Sequence, residues 1–412
     1  MDVQLIDNND NNIIQSEHYV IMRKSFKSNT CKLIKLGREK YFFFFKHKIL
    51  TDSLVGQKYG STFELTSDKT LKLVNLIDYL DPMNQNSNSN DDINNINQPK
   101  DNRFLVDNNS SQKLTRDDIE KIKKEKSGQQ VIQTLVKNSA TFEDKNVFSQ
   151  VKYLQKKQQK YVCLVTVMKP TAKLLMEMYY SQSPSKNNYL RIDSLAQMLT
   201  LSNIMAGGKY LVVDSNLGIL SASIFEKTSG NCTIVQVDMA DICNAGQRQA
   251  VNALNFPLSV MEKCFSCISF NQVACLLMEK ATNNNNSSEN LRKKSRTNVK
   301  LQEEEEKAKT ILNEQNLDAL LLMSKHHDLC SLTETLLCFL SISRPFVVFS
   351  PFIEPLKECF LRIKNQCAFL RISETWLRKY QVLNDRTRPE AVMNACSGFI
   401  LTGIKVEPMT NK

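Results

Sequence analysis

The sequence predicts an α/β protein in which a small N-terminal β-barrel precedes a Rossmann-like domain. Between residues 13 and 75, short segments rich in aromatic and β-branched residues are separated by turn signals at near-regular spacing, which is typical of a small barrel. From Lys173 onward, strand and helix patterns alternate. Such alternation indicates βαβ units and a parallel sheet with helices on both faces.

The domain boundaries follow from changes in composition along the 412 residues. We expect a barrel domain over 10–80, a helical connecting segment over 104–170 that opens with Thr115 as N-cap, and the Rossmann-like domain over 171–410. Two Asn-rich tracts, 81–103 and 282–308, have too few apolar residues to offset the entropy of ordering, so we predict disordered insertions there. The acidic, Asn-rich N-terminus and the lack of a long apolar run argue against a secretory signal or a membrane span.

The predicted sheet has four strand candidates, each followed by a helical pattern. They are Tyr210–Asp214, Thr233–Asp238, Ala319–Met323 and Phe346–Ser350. After Ala368, the last two strand patterns lie too close in sequence for a crossover helix. We therefore expect them to pair antiparallel at the edge of the sheet.

Two residue groups invite a functional interpretation but favour packing. The aromatic run Phe42 to Phe45 predicts a strand covered on both faces; base stacking is the less favoured alternative, because exposed stacking aromatics usually alternate with charge. Cys264 and Cys267 have the spacing of a zinc-binding pair. No second such pair exists among the 12 cysteines, so we expect buried core cysteines and no metal site.

The stretch "LVVDSNLGIL" has the outline of a nucleotide-binding strand and turn that has lost most of its glycines. Asp214 ends the strand, Asn216 stands where the first glycine of an acidic-x-Gly-x-Gly-x-Gly motif belongs, Gly218 takes the second place and Leu220 the third. We expect Asn216 to tolerate a left-handed turn, and its side chain and that of Leu220 to fill space that a ligand would need. The turn is therefore predicted to be degenerate, with no cofactor bound.

The neighbouring strand ends add little to a catalytic reading. Asp238 follows the second strand and is as consistent with a ribose-binding residue as with a solvated loop residue. The strand ending at Met323 is followed by Ser324 and Lys325, and no carboxylate occurs before Asp328. The pattern predicts an intact scaffold without a complete site.

Several stretches of the chain are similar, in the same order, to landmarks of one family, the non-catalytic subunits of the eukaryotic tRNA methyltransferase that modifies N1 of adenosine 58. They are "VGQKYGSTFEL", "NRFLVDNNSSQKLTRDDIEKIKKE", "SGQQVIQTLVKNSATFEDKNVFSQVKYLQKKQQKYV", "YLRIDSLAQMLTLSNIMAGGK", "LVVDSNLGIL" and "ISETWLRKYQVLNDRTRPEAVMNACSGFILTGIKV". The likeness covers most of the chain apart from the Asn-rich tracts.

The resemblance implies an N-terminal β-barrel and a class I methyltransferase-type Rossmann domain that has lost S-adenosylmethionine binding, with no catalytic residues of its own. It also implies a heterotetramer of two such subunits and two catalytic paralogues, with tRNA gripped across subunits. The catalytic paralogue keeps the glycine-rich loop and an aspartate at the end of the fourth strand. This chain departs from that pattern at Asn216, Leu220 and Met323, as a non-catalytic member should.

The net charge of +11 is concentrated in clusters that we predict to bind RNA. The first is a helical stripe, for which a merely solvated face is the alternative: Lys152, Lys156, Lys157 and Lys160. The second lies around the penultimate strand and the hairpin after it, a plausible phosphate clamp: Arg362, Lys364, Arg371, Arg378, Lys379, Arg386 and Arg388. A weaker third group is Arg103, Lys113 and Arg116. Trp376 and Tyr380 share a strand face with Arg378 and are expected to be core or subunit-interface residues.

The sequence leaves two alternative functions open and predicts a cellular location for the protein. The main alternative is an active S-adenosylmethionine-dependent RNA methyltransferase with an atypical loop. A Rossmann oxidoreductase is poorly supported, because only one glycine of the dinucleotide-binding motif survives. The run "RKKSR", 292–296, is either a nuclear localisation signal or a solvated linker. We expect a nuclear protein.

Overall fold

The structure is a computed structural model that describes residues 12–24, 31–37, 40–45, 47–65, 70–75, 111–125, 128–145, 147–240, 248–282, 299–382 and 387–407. The chain divides into two compact units, Met1–Lys169 and Pro170–Lys412. The predicted insertion 81–103, Arg103, Arg386 and the run 292–296 lie outside the described residues.

Among its described residues, the first unit combines short antiparallel strands with three α-helices. Its strands are β1 (Tyr19–Lys24), β2 (Cys31–Lys35), β3 (Tyr41–Phe44), β4 (His47–Leu50), β5 (Thr62–Leu65), β6 (Leu71–Val74) and β7 (Leu164–Met168), and its helices are α1 (Arg116–Glu125), α2 (Gly128–Lys137) and α3 (Val147–Tyr161). Thr115 caps α1 as predicted: its hydroxyl accepts from the backbone N–H of Asp118, and the Asp118 carboxylate accepts from the backbone N–H and hydroxyl of Thr115.

A closed barrel is not confirmed in this unit. Five strands form one antiparallel sheet in the order β2-β1-β7-β5-β6, and β3 and β4 form a separate hairpin, so among the described residues neither sheet closes on itself. The central strand β7 lies in the segment 104–170, which was predicted as a helical connection. That expectation is wrong for residues 164–168, where Val165 and Val167 alternate into the core. The hairpin reaches the same hydrophobic core through Phe42, Phe44 and Ile49.

The second unit is the predicted α/β domain. Its elements, in chain order, are α4 (Ala172–Gln182), α5 (Ile192–Leu201), β8 (Lys209–Asp214), α6 (Ile219–Lys227), β9 (Thr233–Asp238), α7 (Gln249–Ala253), α8 (Leu258–Cys264), β10 (Phe265–Ser269), α9 (Phe270–Thr282), α10 (Val299–Asn313), β11 (Ala319–Met323), α11 (Leu329–Leu337), β12 (Pro345–Ser350), α12 (Glu354–Ile363), β13 (Cys367–Trp376), β14 (Tyr380–Gln381), β15 (Arg388–Pro389) and β16 (Cys396–Lys405).

Seven of these strands form one sheet in the order β10-β9-β8-β11-β12-β16-β13. Strands β8 to β12 are parallel, and β16 pairs antiparallel with both β12 and β13. All four predicted strands and the antiparallel edge pair are confirmed. The carboxyl ends of β8, β9 and β11 therefore meet at one edge of the sheet, where ligands of such folds bind.

Two further sequence predictions concern segments beside β10. Cys264 and Cys267 are buried, as expected of core cysteines, and the Cys264 thiol donates to the carbonyl of Gly230 at 3.0 Å. The expectation of disorder over 282–308 is wrong for residues 299–308, which form the first part of α10. Ala308 and Leu312 are fully buried on that helix, because the apolar positions after its acidic run recur at helical spacing.

Within the residues that the structure describes, no helix has the length and apolar character needed to span a bilayer.

Candidate functional site

The degenerate turn after β8 is held together by Asp214. One carboxylate oxygen accepts a hydrogen bond from the backbone N–H of Asn216 at 2.6 Å and the other from that of Leu220 at 2.7 Å. Burial raises the pKa of Asp214 to about 7, while these two backbone donors act to lower it. The aspartate therefore serves as an internal tie between the strand and the first turn of α6.

The chain reverses one residue later than the sequence predicted. Leu217 (φ 54°) and Gly218 (φ 80°) adopt the left-handed conformation, whereas Asn216 does not, so the expectation for Asn216 is wrong. Its backbone N–H is fixed by Asp214, which leaves the reversal to the following pair. Gly218 takes that conformation without steric cost, and Leu217 does so with its side chain at the surface.

The turn does not fit S-adenosylmethionine. The side chains of Asn216 and Leu220 are both buried, as predicted, at the two positions where glycines would let a ligand approach the backbone. The Asn216 amide nitrogen has no hydrogen-bond partner in the described part of the chain, which is a cost of burying it there. Glycines at these two positions would place no side chain in the turn.

In the part of the chain that the structure describes, the ends of β9 and β11 carry no catalytic constellation. Asp238 is fully buried at the end of β9, so the solvated-loop alternative is wrong; its carboxylate accepts from the backbone N–H of Ala240 at 3.0 Å. Met323 ends β11 as a buried apolar residue, and its carbonyl accepts from the backbone N–H of Ser215. Asp328 caps α11 by accepting from the backbone N–H groups of Cys330 and Ser331. Both aspartates therefore bond nearby backbone groups, and Met323 brings no carboxylate to the end of β11.

The predicted lysine stripe lies on α3. Lys152, Lys156 and Lys160 are exposed, and Lys157 is half-buried beside them. Leu154 is buried on the opposite side of the helix, in a core with Phe142 and Val162. Among the described residues, none of the four ammonium groups forms an ion pair with a carboxylate. The stripe therefore presents uncompensated positive charge.

Two more lysines that the sequence analysis missed join this surface. Lys145 lies 5.0 Å from the centre of the Tyr153 ring, and Lys123 lies 5.3 Å from that of Tyr161. Lys157 lies 5.0 Å from the Tyr153 ring and 5.9 Å from the Tyr161 ring. Burial, and then repulsion by Lys160 and Lys145, lower the pKa of Lys157. Positive charge is thus crowded here, and two tyrosines spaced eight residues apart on a lysine-rich helix were the sequence signal for it.

The second basic cluster is only partly as predicted. Arg378 and Lys379 follow β13, which ends at Trp376, and so do not lie on the penultimate strand; the strand ends there because its pairing with β16 ends at Cys396. Arg388 lies in the predicted hairpin, opposite Gln381, and is exposed. Arg362 is engaged by Glu358 at 2.7 Å and by Glu334 at 3.7 Å, which lessens its availability to a phosphate.

The third group and the two aromatic residues remain at the surface. Lys113 and Arg116 are exposed, just before α1 and at its first residue. Trp376 is 67% exposed and Tyr380 is 57% exposed. The core alternative for these aromatics is wrong, and the subunit-interface alternative remains.

Comparisons with known proteins agree with this architecture. The model of the Gcd10p family matches residues 13–310. A relative in Mus musculus, the tRNA (adenine(58)-N(1))-methyltransferase non-catalytic subunit TRM6, is 31% identical over 95% of this chain and 88% of its own length. The protein of the same designation in Dictyostelium discoideum is 34% identical over 98% of this chain and 81% of its own length.

The solved structures give the fold. A SAM-dependent O-methyltransferase from Thermotoga maritima has a TM-score of 0.51 and 8% identity, covering 98% of each chain. The α/β, methyltransferase-type prediction is therefore confirmed at the level of fold. The family match and the two relatives confirm the resemblance found in the sequence, and the chain belongs to the Gcd10p family.

Proposed function

We propose that this chain is the non-catalytic, tRNA-binding subunit of a tRNA N1-methyladenosine-58 methyltransferase complex, and that it positions tRNA for a catalytic paralogue. The observation that carries the proposal is a methyltransferase-type sheet whose cofactor turn is filled by its own side chains, Asn216 and Leu220. The names of the relatives support the same role. The chain contributes to catalysis by placing the substrate, which can account for large rate effects without chemistry of its own.

The uncompensated lysines support tRNA binding. Exposed ammonium groups on α3 suit phosphates, and their spacing of four residues puts them about 6 Å apart along the helix. Arg388 with Lys379 adds a second phosphate-binding surface in the other unit. Double-helical RNA is recognised chiefly through its shape and backbone, which suits surfaces built from exposed cations.

The partner in this proposal is the catalytic paralogue, in a heterotetramer of two subunits of each kind, with S-adenosylmethionine bound by the paralogue. Large apolar side chains at the surface of the second unit give it a place to dock. Trp376, Tyr380, Val382 and Val392 are each more than half exposed, within or just after β13 and its hairpin. Aromatic residues of this kind are enriched at protein interfaces.

A reconstitution experiment tests the proposed function. Unmodified tRNA and labelled S-adenosylmethionine are incubated with this chain alone, with the catalytic paralogue alone, and with the mixture. We expect label transfer to adenosine 58 only in the mixture. Transfer by this chain alone would establish the rival function, an active methyltransferase with an atypical turn, and a mixture without activity would contradict the partner role.

We also propose that the protein works in the nucleus, guided by residues 292–296, "RKKSR". The test is the distribution of a fluorescent fusion with and without Lys293, Lys294 and Arg296 changed to Gln. Nuclear accumulation that depends on these residues supports the signal. An unchanged distribution would mean that the run is a solvated linker.

A further inference from the structure

The β3–β4 hairpin contradicts the expectation that its aromatic run is covered on both faces. Phe42 and Phe44 are buried, whereas Phe43 is 60% exposed and Phe45 is 51% exposed. Within β3, successive side chains point to opposite faces and the core reaches only one of them, which exposes Phe43. Phe45 follows β3 in the turn, with φ 52°. Two phenylalanine rings are therefore more than half exposed at the surface of the hairpin.

Neighbouring side chains hold the backbone of Phe43 and the ring of Phe45. The Lys32 ammonium donates a hydrogen bond to the carbonyl of Phe43 at 2.9 Å, which anchors the strand. The Phe45 ring meets the Phe44 ring edge-on, with centres 4.8 Å apart and planes at 74°. Because Phe44 is buried, this contact fixes the side chain of Phe45. The rings form a pre-organised surface, which lowers the entropy lost on binding.

Cations surround these rings. Lys48 stands directly opposite Phe43 in the hairpin register, and its ammonium lies 4.2 Å from the centre of the Tyr41 ring. Lys40 lies 5.9 Å from the same ring. Residues 40–50 contain three lysines and no acidic residue. On this face, aromatic rings and positive charge alternate, which is the pattern of a single-stranded nucleic-acid platform and not that of a protein interface, whose centre is depleted of lysine.

We infer that the outer face of this hairpin, formed by Tyr41, Phe43 and Phe45 with Lys32 and Lys48, binds unpaired RNA nucleotides. Bases stack on Phe43 and Phe45, and the lysines contact the flanking phosphates. The inference rests on the proposed tRNA-binding function and adds a second mode to it. The lysine stripe on α3 holds a duplex by its backbone, while this hairpin holds loop or end nucleotides whose bases are free to stack.

The test uses the full complex with its catalytic paralogue and the double variant F43A/F45A. Two probes are compared, a single-stranded oligouridine and a fully paired RNA duplex without loops. Because two stacking rings are removed, we expect the variant to lose at least about thirtyfold in affinity for the oligouridine, with the dependence on salt unchanged because no cation is removed. Affinity for the duplex should stay the same.

Two further variants separate stacking from general effects. F352A is the matched control, because Phe352 is 64% exposed and no lysine occurs between residues 345 and 356; it should leave oligouridine binding unchanged. F43W keeps a stacking surface and should retain affinity. Its indole should also show fluorescence quenching by oligouridine that the single native tryptophan, Trp376, does not show.

The outcomes distinguish this inference from the proposed function. If F43A/F45A binds oligouridine as the wild type does, the inference is overturned, while binding of whole tRNA by the wild-type complex still supports the proposed function. If the variant loses the catalytic paralogue on size exclusion, the hairpin is a protein interface and the inference is also overturned. Both rings are exposed, so an unchanged melting temperature should accompany the loss of affinity.

Discussion

Replacing the exposed lysines of α3 should weaken tRNA binding by an amount that the structure sets. The variant is K152Q/K156Q/K160Q, which leaves Lys157 in place because that side chain is half-buried between Tyr153 and Tyr161. Each phosphate contact contributes about 0.7 to 0.9 to the slope of log affinity against log salt. Loss of three contacts should therefore reduce the slope by about 2 to 3.

The assay is titration of fluorescent tRNA with the complex over a range of about 50 to 200 mM salt, where such slopes are measured. The control variant is K227Q/K263Q/K357Q, which removes the same charge from three exposed lysines on other helices. Its slope should stay close to that of the wild type. An equal reduction in both variants would show that net charge alone drives binding and would refute the assignment of the RNA-binding surface to α3.

Two further predictions concern the second unit. For Asp214, the pKa in the folded protein is about 7 against an ordinary value of 3.8. The contribution of this carboxyl group to the free energy of unfolding is therefore fully present below about pH 4 and is lost as pH rises toward 7. From about pH 5 to pH 8 the wild type should lose roughly 3 kcal/mol of unfolding free energy that D214N does not lose, as measured by denaturant unfolding. Arg191 is buried, pairs with Asp193 at 2.6 Å and donates to the carbonyls of Asn394 and Ala395. R191A should therefore lower the free energy of unfolding by about 3 kcal/mol. A melting temperature equal to that of the wild type would contradict a stabilising role for Arg191.

The second unit could be predicted closely from the sequence because its strands are continuous apolar runs. A run such as residues 210–213, "YLVV", is buried from both sides by helices, and that environment leaves few alternatives to a parallel strand. The turn was predicted less well. The sequence showed that Asn216 had replaced a glycine, but which residue adopts the left-handed conformation depends on the hydrogen bonds made by Asp214.

The first unit was harder to predict because its sheet joins strands far apart in sequence. β7 pairs with β1 through Ile21 and Met168, across more than 140 residues, and no local pattern reports such a pairing. The aromatic run Phe42 to Phe45 has no polar residue to mark its outer face. The alternation of burial along it therefore appears only once the fold determines which side the core occupies.

The sequence clusters also differ from the spatial ones. Lys123 lies on α1, far from the stripe in sequence, and reaches it through the ring of Tyr161, whereas Lys145 lies just before α3 and contacts the ring of Tyr153. Sequence spacing identifies neighbours on one helix, but it does not identify neighbours on adjoining helices. Conversely, Arg362 belongs to a basic run in the sequence yet is engaged by two glutamates.

The turn after β8 shows how a methyltransferase-type scaffold can be stabilised by the protein's own groups. In the absence of a ligand, the turn must be held by the protein itself, and both oxygens of Asp214 are used to bond the backbone of Asn216 and Leu220. Leu220 then contributes a fully buried side chain where glycine would contribute none. Packing thus stabilises the same loop that a bound ligand would otherwise order. The arrangement is destabilised by the buried side-chain amide nitrogen of Asn216, which has no hydrogen-bond partner within the described residues. A scaffold stabilised in this way can keep the methyltransferase-type fold while its edges and surfaces take on the partner and tRNA binding that we propose.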